Sequence, residues 1–224
     1  LGMNEPLEVL PISVKKKVEE LDFFIVENEK SARRFIKKIA PRKSQPALRL
    51  YVLDKFTTDF EAKSFIDPCF HGISVGLLSE AGVPAVADPG ANLVMLAHVK
   101  KVPVVPLVGP SSIILAMMAS GLNGQNFAFN GYLPIDTAER KKKIKMFEKR
   151  SKELQQSQIF IETPYRNNKL LDQFKATLTP STQLCVAADL TLASEYIRTQ
   201  TAEDWKKESP DLHKRPCIFI VHKF

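Results

Sequence analysis

Cysteine is scarce. Three occur among 224 residues, and Cys69, Cys185 and Cys217 stand far apart in an odd number, which argues against a disulfide framework and for a reducing compartment. An uninterrupted apolar run of membrane-spanning length is also missing. The longest window, Val102–Leu122, is broken by Pro103, Pro106, Gly109 and Pro110, so no membrane partner is expected. The four histidines, His71, His98, His213 and His222, are scattered, and Cys69 with His71 finds no second pair that would complete a metal site. The expectation is therefore no metal. The phosphate loop G-x-x-x-x-G-K-[ST], the nucleophile elbow G-x-S-x-G, internal repeats and low-complexity stretches are absent as well. No basic segment followed by a long apolar run opens the chain, and with the cysteine usage this predicts a cytoplasmic protein.

What is present is enough apolar content for a sizeable core, 44%, and an excess of 32 Lys and Arg over 25 Asp and Glu, a formal charge of +7. The excess is clustered: Arg140–Lys152 carries eight basic residues in thirteen, a second group runs through Arg33, Arg34, Lys37, Lys38, Arg42 and Lys43, and a third through Lys206, Lys207, Lys214 and Arg215. Each cluster singly reads as a solvated helix face. Together they tilt the balance toward a polyanionic partner, most simply nucleic acid.

Apolar runs alternate with helical patterns through the first half. Phe23–Val26, Leu48–Leu53, Ile73–Leu78 and Val102–Leu107 read as strands, and Val14–Leu21, Ser31–Ile39, Asp59–Ile66 and Ala91–Val99 as helices, with Ser31 available as a cap. Such alternation predicts a mainly parallel sheet. Beyond the helix that starts near Ser111 come a strand at Phe127–Tyr132, a long basic helix from Thr137 to about Gln156, a strand at Ile159–Glu162 and a helix at Asn168–Ala176. Strand-like runs then follow at Leu184–Ala188, Glu195–Thr201 and Pro216–Val221, with spacers that favour antiparallel pairing. The expected architecture is two α/β domains, residues 1–108 with a mainly parallel sheet and residues 109–224 with a mixed one.

Two strand-to-helix turns concentrate the chemistry. Ser79-Glu80-Ala81-Gly82-Val83-Pro84 has Gly82 where the backbone needs positive φ or a close ligand approach. A tight turn without a ligand explains it equally, and Ala87-Asp88-Pro89-Gly90 reads as a turn in which Asp88 could cap Ala91–Val99. Gly109-Pro110-Ser111-Ser112 puts two serines at a helix N-terminus, where free N–H groups suit an anion; ordinary capping by Ser111 is compatible with that.

The segments SEAGVPAVADPG (79–90), PVVPLVGPSS (103–112), FNGYLP (129–134) and IFIETPYR (159–166), with FIVENEKSARR (24–34), resemble in order the motifs of the tetrapyrrole methylase superfamily of S-adenosylmethionine-dependent methyltransferases. The likeness is closest to the branch that 2′-O-methylates a cytidine of small-subunit ribosomal RNA, and it covers most of the chain. The resemblance implies S-adenosyl-L-methionine as cofactor in a cleft between two α/β domains, ribosomal RNA or the small ribosomal subunit as partner, and a homodimer. It places Gly82, Val83 and Val86 along the cofactor by main-chain contacts, Ser111 and Ser112 at its polar end, and Thr163 and Ala187 around the adenine. Glu162, Glu27 and Glu80 become candidate bases for a hydroxyl acceptor, and Tyr165, Arg166 and Lys30 candidate substrate contacts. Read alone, Thr163 and Ala187 are ordinary strand-end and core residues, and Arg166 is as well explained by a surface ion pair.

Ala188-Asp189-Leu190-Thr191-Leu192 lacks the two basic residues of that branch's R-E-L-T-K, Tyr165 stands where His is usual, and Glu80 where Asp is usual. The chain opens at Leu1-Gly2, about where the family's first turn ends, so residues upstream are expected. Two other functions share these features: methylation of a tetrapyrrole or another small molecule on the same fold, and a catalytically inactive cofactor- and RNA-binding assembly factor.

Overall fold

The computed structural model describes residues 5–224, which divide into two compact units, one ending at Ser111 and the other spanning Ser112–Phe224. In the first, α1 (Pro6–Val9) and α2 (Ile12–Glu20) lead into β1 (Phe23–Val26), α3 (Glu29–Ile39), β2 (Arg49–Val52), α4 (Asp59–Ser64), a 3-10 turn at Asp67–His71, β3 (Val75–Leu78) and α5 (Ala91–Val99). The three strands are parallel with β1 in the middle, Val26 level with Val52 and Leu78. Side chains alternate across a strand, and β1 uses both faces. Phe24 and Val26 pack with Val14, Val18, Ile36 and Ile39 of α2 and α3, while Ile25 packs with Ile66, Leu93, Phe65 and Leu96 on the opposite side.

Three local expectations are corrected. Val102–Leu107 forms no strand: Pro103 and Pro106 have no N–H to give a ladder, and Val104, Val105 and Leu107 lie exposed. The cap of α3 is Asn28, whose side chain accepts the Ser31 N–H, so Ser31 sits inside the helix. The residue before α5 is Gly90 at φ 114°, with no side-chain cap, so Asp88 does not serve there. A side chain on Gly90 would also meet the Leu77 Cδ2 at 2.8 Å.

The second unit runs α6 (Ser112–Ser120), β4 (Phe127–Tyr132), α7 (Thr137–Leu154), β5 (Ser157–Ile161), α8 (Asn167–Thr177), β6 (Gln183–Ala188), β7 (Tyr196–Thr201), α9 (Ala202–Trp205) and β8 (Cys217–His222). Its sheet is mixed, in the order β4-β5-β8-β6-β7, with β4 and β5 parallel and the other pairs antiparallel. All six residues of β8 are buried, as a central strand covered on both faces requires. Phe160, Leu184, Val186 and Phe219 meet Ile144 of α7, Leu170 and Phe174 of α8, and Trp205 of α9. Ile159, Cys185, Ala187 and Ile218 meet Ile113, Ala116 and Met117 of α6.

Buried Arg140, Ile144, Glu148 and Ser151 mark the inner stripe of α7 at helical spacing. Glu148 on that stripe accepts the N–H and hydroxyl of Thr179, each at 2.8 Å, and the hydroxyl of Thr182. Removing such a buried acceptor strands its donors. Glu148→Ala is expected to lower unfolding stability by about 2–4 kcal/mol, measured by urea denaturation. A loss near zero would show that the donors find other partners.

Candidate functional site

The carboxyl edge of the first sheet gathers the groups expected from the turns. β1 and β3 are neighbours in register, so Glu27, one residue past β1, and Glu80, two past β3, emerge side by side. Glu27 Oε1 accepts the Glu80 N–H at 2.9 Å, and the Ser31 hydroxyl donates to Glu80 Oε1. Three segments are thereby stitched together: the end of β1, the first turn of α3 and the loop after β3. Lys30, on the same turn, is exposed.

That loop has an unusual backbone. Positive φ occurs at Gly82 (76°), Ala85 (66°), Ala87 (60°) and Gly90 (114°). The two alanines are left-handed at a cost of roughly 1–2 kcal/mol each, so the surroundings must hold them there. Gly82 is half-buried, and no atom lies within 4 Å of where its side chain would be. Val83 is half-buried and Val86 is 47% exposed. Asp88 lies in the same loop. Partial burial, reinforced by the Glu27 carboxylate, pushes its carboxyl up to about 6. Sequence reasoning assigned Asp88 to a cap; its link with Glu27, 61 positions away, leaves no spacing signal. Ser111 and Ser112 are half-buried where the chain enters α6.

In the second unit the ETPYR segment turns from β5 into α8. Glu162 is buried; its Oε1 accepts the Thr163 N–H at 2.7 Å and the Arg166 Nε and Nη2 at 3.0 and 2.7 Å, while its Oε2 is buried without a partner. Arg166 is ion-paired with this buried carboxylate and not with a surface partner. Thr163 is half-buried, its carbonyl accepting the Arg166 N–H at 2.9 Å, and Ala187 is buried in the core against α6. Tyr165 is 70% exposed and stands edge-on to His213, ring centres 5.7 Å apart. The three candidate carboxylates are therefore split: Glu27 and Glu80 share one sheet edge, and Glu162 belongs to the other unit.

The altered segment after β6 is organised by a basic residue that its own sequence does not contain. Asp189 and Thr191 both have positive φ, 51° and 73°. Asp189 Oδ2 accepts Arg215 Nε at 2.7 Å, and Arg215 Nη2 reaches the Ser194 carbonyl at 2.6 Å. Next to it Lys214, itself at φ 60°, donates its N–H to the Pro164 carbonyl at 3.0 Å. His213, Lys214 and Arg215 thereby join the ETPYR turn, a convergence hidden by 48 residues of sequence. Among the described residues no three His, Cys, Asp or Glu side chains form a metal-sized cluster, and no helix is long and apolar enough to cross a membrane.

Ribosomal RNA small subunit methyltransferase I of Vibrio cholerae is 31% identical over 179 residues, 79% of this chain and 61% of that protein. The protein of the same name in Escherichia coli is 30% identical over 77% of this chain and 60% of its own length. This chain is their relative. It spans about three-fifths of the length of these curated relatives. No family model matches. Solved methyltransferases share the fold. CobJ superposes with TM-score 0.63 at 13% identity, covering 96% of this chain and 89% of its own. Uroporphyrin-III C-methyltransferase of Thermus thermophilus, complexed with S-adenosylhomocysteine, superposes with TM-score 0.57 at 14% identity, covering 98% and 93%. The chain therefore has the two-part α/β tetrapyrrole methylase fold.

Asp88 makes the loop pH-sensitive. Its folded pKa lies above the unfolded carboxylate value, so its contribution is fully present below about pH 4 and is lost as pH rises through about 6. Thermal unfolding from pH 4 to 7 is expected to show Asp88→Asn gaining on the wild type as pH rises and levelling off above about pH 6. A constant difference across that range would contradict the assignment.

Proposed function

We propose that this chain is an S-adenosyl-L-methionine-dependent methyltransferase that modifies small-subunit ribosomal RNA at a ribose 2′-hydroxyl. The observation that carries the reading is the loop after β3. Its run of left-handed residues, its stitch to Glu27 and the open space at Gly82 form a backbone cradle of the kind a nucleoside ligand needs, in a relative of two ribosomal RNA methyltransferases. Gly82, Val83, Val86 and Ser111 of the first unit, with Ser112, Thr163 and Ala187 of the second, are the proposed cofactor contacts. When bound, S-adenosylmethionine supplies an electrophilic methyl group.

The protein's own task is then to hold a hydroxyl in line and accept its proton. Each candidate base commits one oxygen to the fold, Glu27 and Glu80 to the loop and Glu162 to Thr163 and Arg166, but among them only the second oxygen of Glu162 is buried without a donor. A ligand hydroxyl satisfies that oxygen, and the guanidinium of Arg166 balances the charge. The exposed ring of Tyr165, with Lys214 and His213 beside it, offers stacking and phosphate contacts to RNA. Lys30 is a further proposed substrate contact. A homodimer is proposed from the family likeness alone, and a cytoplasmic location from the cysteine usage.

The test pairs calorimetric titration of S-adenosylmethionine with methyl incorporation into undermethylated small ribosomal subunits. Micromolar binding and incorporation at a 2′-hydroxyl are expected, with Glu162→Gln losing about 10²-fold or more in kcat while the cofactor affinity is kept. Binding without incorporation would favour the inactive assembly factor, for which the replaced basic residues around Asp189 speak. Incorporation into a tetrapyrrole but not RNA would favour the small-molecule reading.

A further inference from the structure

The second unit holds a cavity of about 410 Å³ between the end of β4 and the first turns of α7, its walls including Asn130, Tyr132, Pro134, Ile135, Lys143 and Phe147. Gly131, at φ 65°, interrupts the ladder between Phe129 and Tyr132, a bulge of the kind that redirects the following side chain. Tyr132 is 58% exposed.

Arg140, 1% exposed, is tied to two residues of that wall. Its Nε and Nη2 donate to the carbonyls of Pro134 and Ile135 at 2.6 and 2.9 Å, and its Nη1 is buried without any partner. No ion pair among the described residues involves it. A buried guanidinium with two carbonyls and no counter-charge is incompletely compensated, and Lys143, one turn along the helix, adds a second cation to the cavity wall. An anion seated there would offset both.

We propose that this cavity receives one nucleotide of the RNA substrate. Its phosphate is drawn by Lys143 and by the charge of Arg140, and its base lies against Tyr132. The proposal rests on the reading above that the substrate is RNA. An extended polyanion is favoured over an acidic peptide because Lys141, Lys142 and Lys145, exposed on the same helix as Lys143, make no ion pair among the described residues, while an aromatic ring stands ready for a base. Lys149 lies two turns further on and is ion-paired with Glu153 at 3.6 Å.

The experiment measures binding of undermethylated small-subunit ribosomal RNA to the whole protein over a range of salt concentrations. Lys143→Glu is expected to weaken binding about tenfold or more, Lys143→Gln to reduce the slope of log affinity against log salt by about one, and Tyr132→Ala to weaken binding at every salt concentration. All three should keep wild-type affinity for S-adenosylmethionine. Lys149→Glu, the control, should change RNA binding far less. Unchanged affinity in Lys143→Glu, an equal loss in Lys149→Glu, or occupation of the cavity by a polyglutamate peptide in preference to RNA overturns the proposal. Methylation by the wild type with unaltered variants would sink the cavity alone. RNA binding with the expected variant pattern but no methyl transfer would sink the enzymatic reading and leave the cavity standing.

Discussion

The bond from the Glu80 N–H to the Glu27 carboxylate is the constraint on which the first unit's candidate site depends. It anchors the start of the loop that carries Ala85 and Ala87 in the left-handed region, where neither alanine gains anything locally from positive φ. Strand register brings the two residues together: β1 and β3 are adjacent and parallel, so their carboxyl ends project from one edge. Ser31 extends the same connection to α3, and Asp88 resists ionisation through partial burial first and the Glu27 carboxylate second. Backbone shape, electrostatics and topology in this corner are thus consequences of one arrangement.

The second unit solves a different problem, keeping polar groups satisfied around a sheet whose central strand is covered on both faces. Glu148 gathers Thr179 and Thr182 and Asp189 gathers Arg215 from segments distant in sequence, while Glu162 takes Arg166 from the next turn and Asp189 takes Ser194 from nearby. Among the described residues of this unit five buried polar atoms stay unpartnered, Asn167 Oδ1, Gln173 Oε1, Gln200 Nε2, Glu162 Oε2 and Arg140 Nη1, and the last two belong to charged groups. Of these two, Glu162 lies in the ETPYR turn and Arg140 holds the carbonyls of Pro134 and Ile135, two residues of the cavity wall.

Elements with one dominant local signal were legible in the amino-acid sequence. The apolar run Phe23–Val26, bounded by Asp22 and Glu27, is the strand that its composition implies, and the long basic helix begins at Thr137 because Asp136 caps it. Val102–Leu107 misled because β-branched residues imitate a strand while two prolines remove its donors. Asn28 and Ser31 compete for one cap, and only geometry chooses. The motif-bearing turns were readable as turns. Their connections were not: Glu27 to Glu80, Arg215 to Asp189 and Lys214 to Pro164 are tertiary consequences of sheet order, and no local periodicity encodes them.

The central claim is that the strained loop and the serines at the start of α6 hold a methyl donor. A crystal structure of the protein grown with S-adenosylhomocysteine tests it most directly. The account predicts the product against the main chain of Gly82 and Val83, with its polar end at Ser111 and Ser112 and its adenine near Thr163 and Ala187. Well-ordered crystals at saturating product with no ligand at these residues, or with the product bound elsewhere, would contradict it.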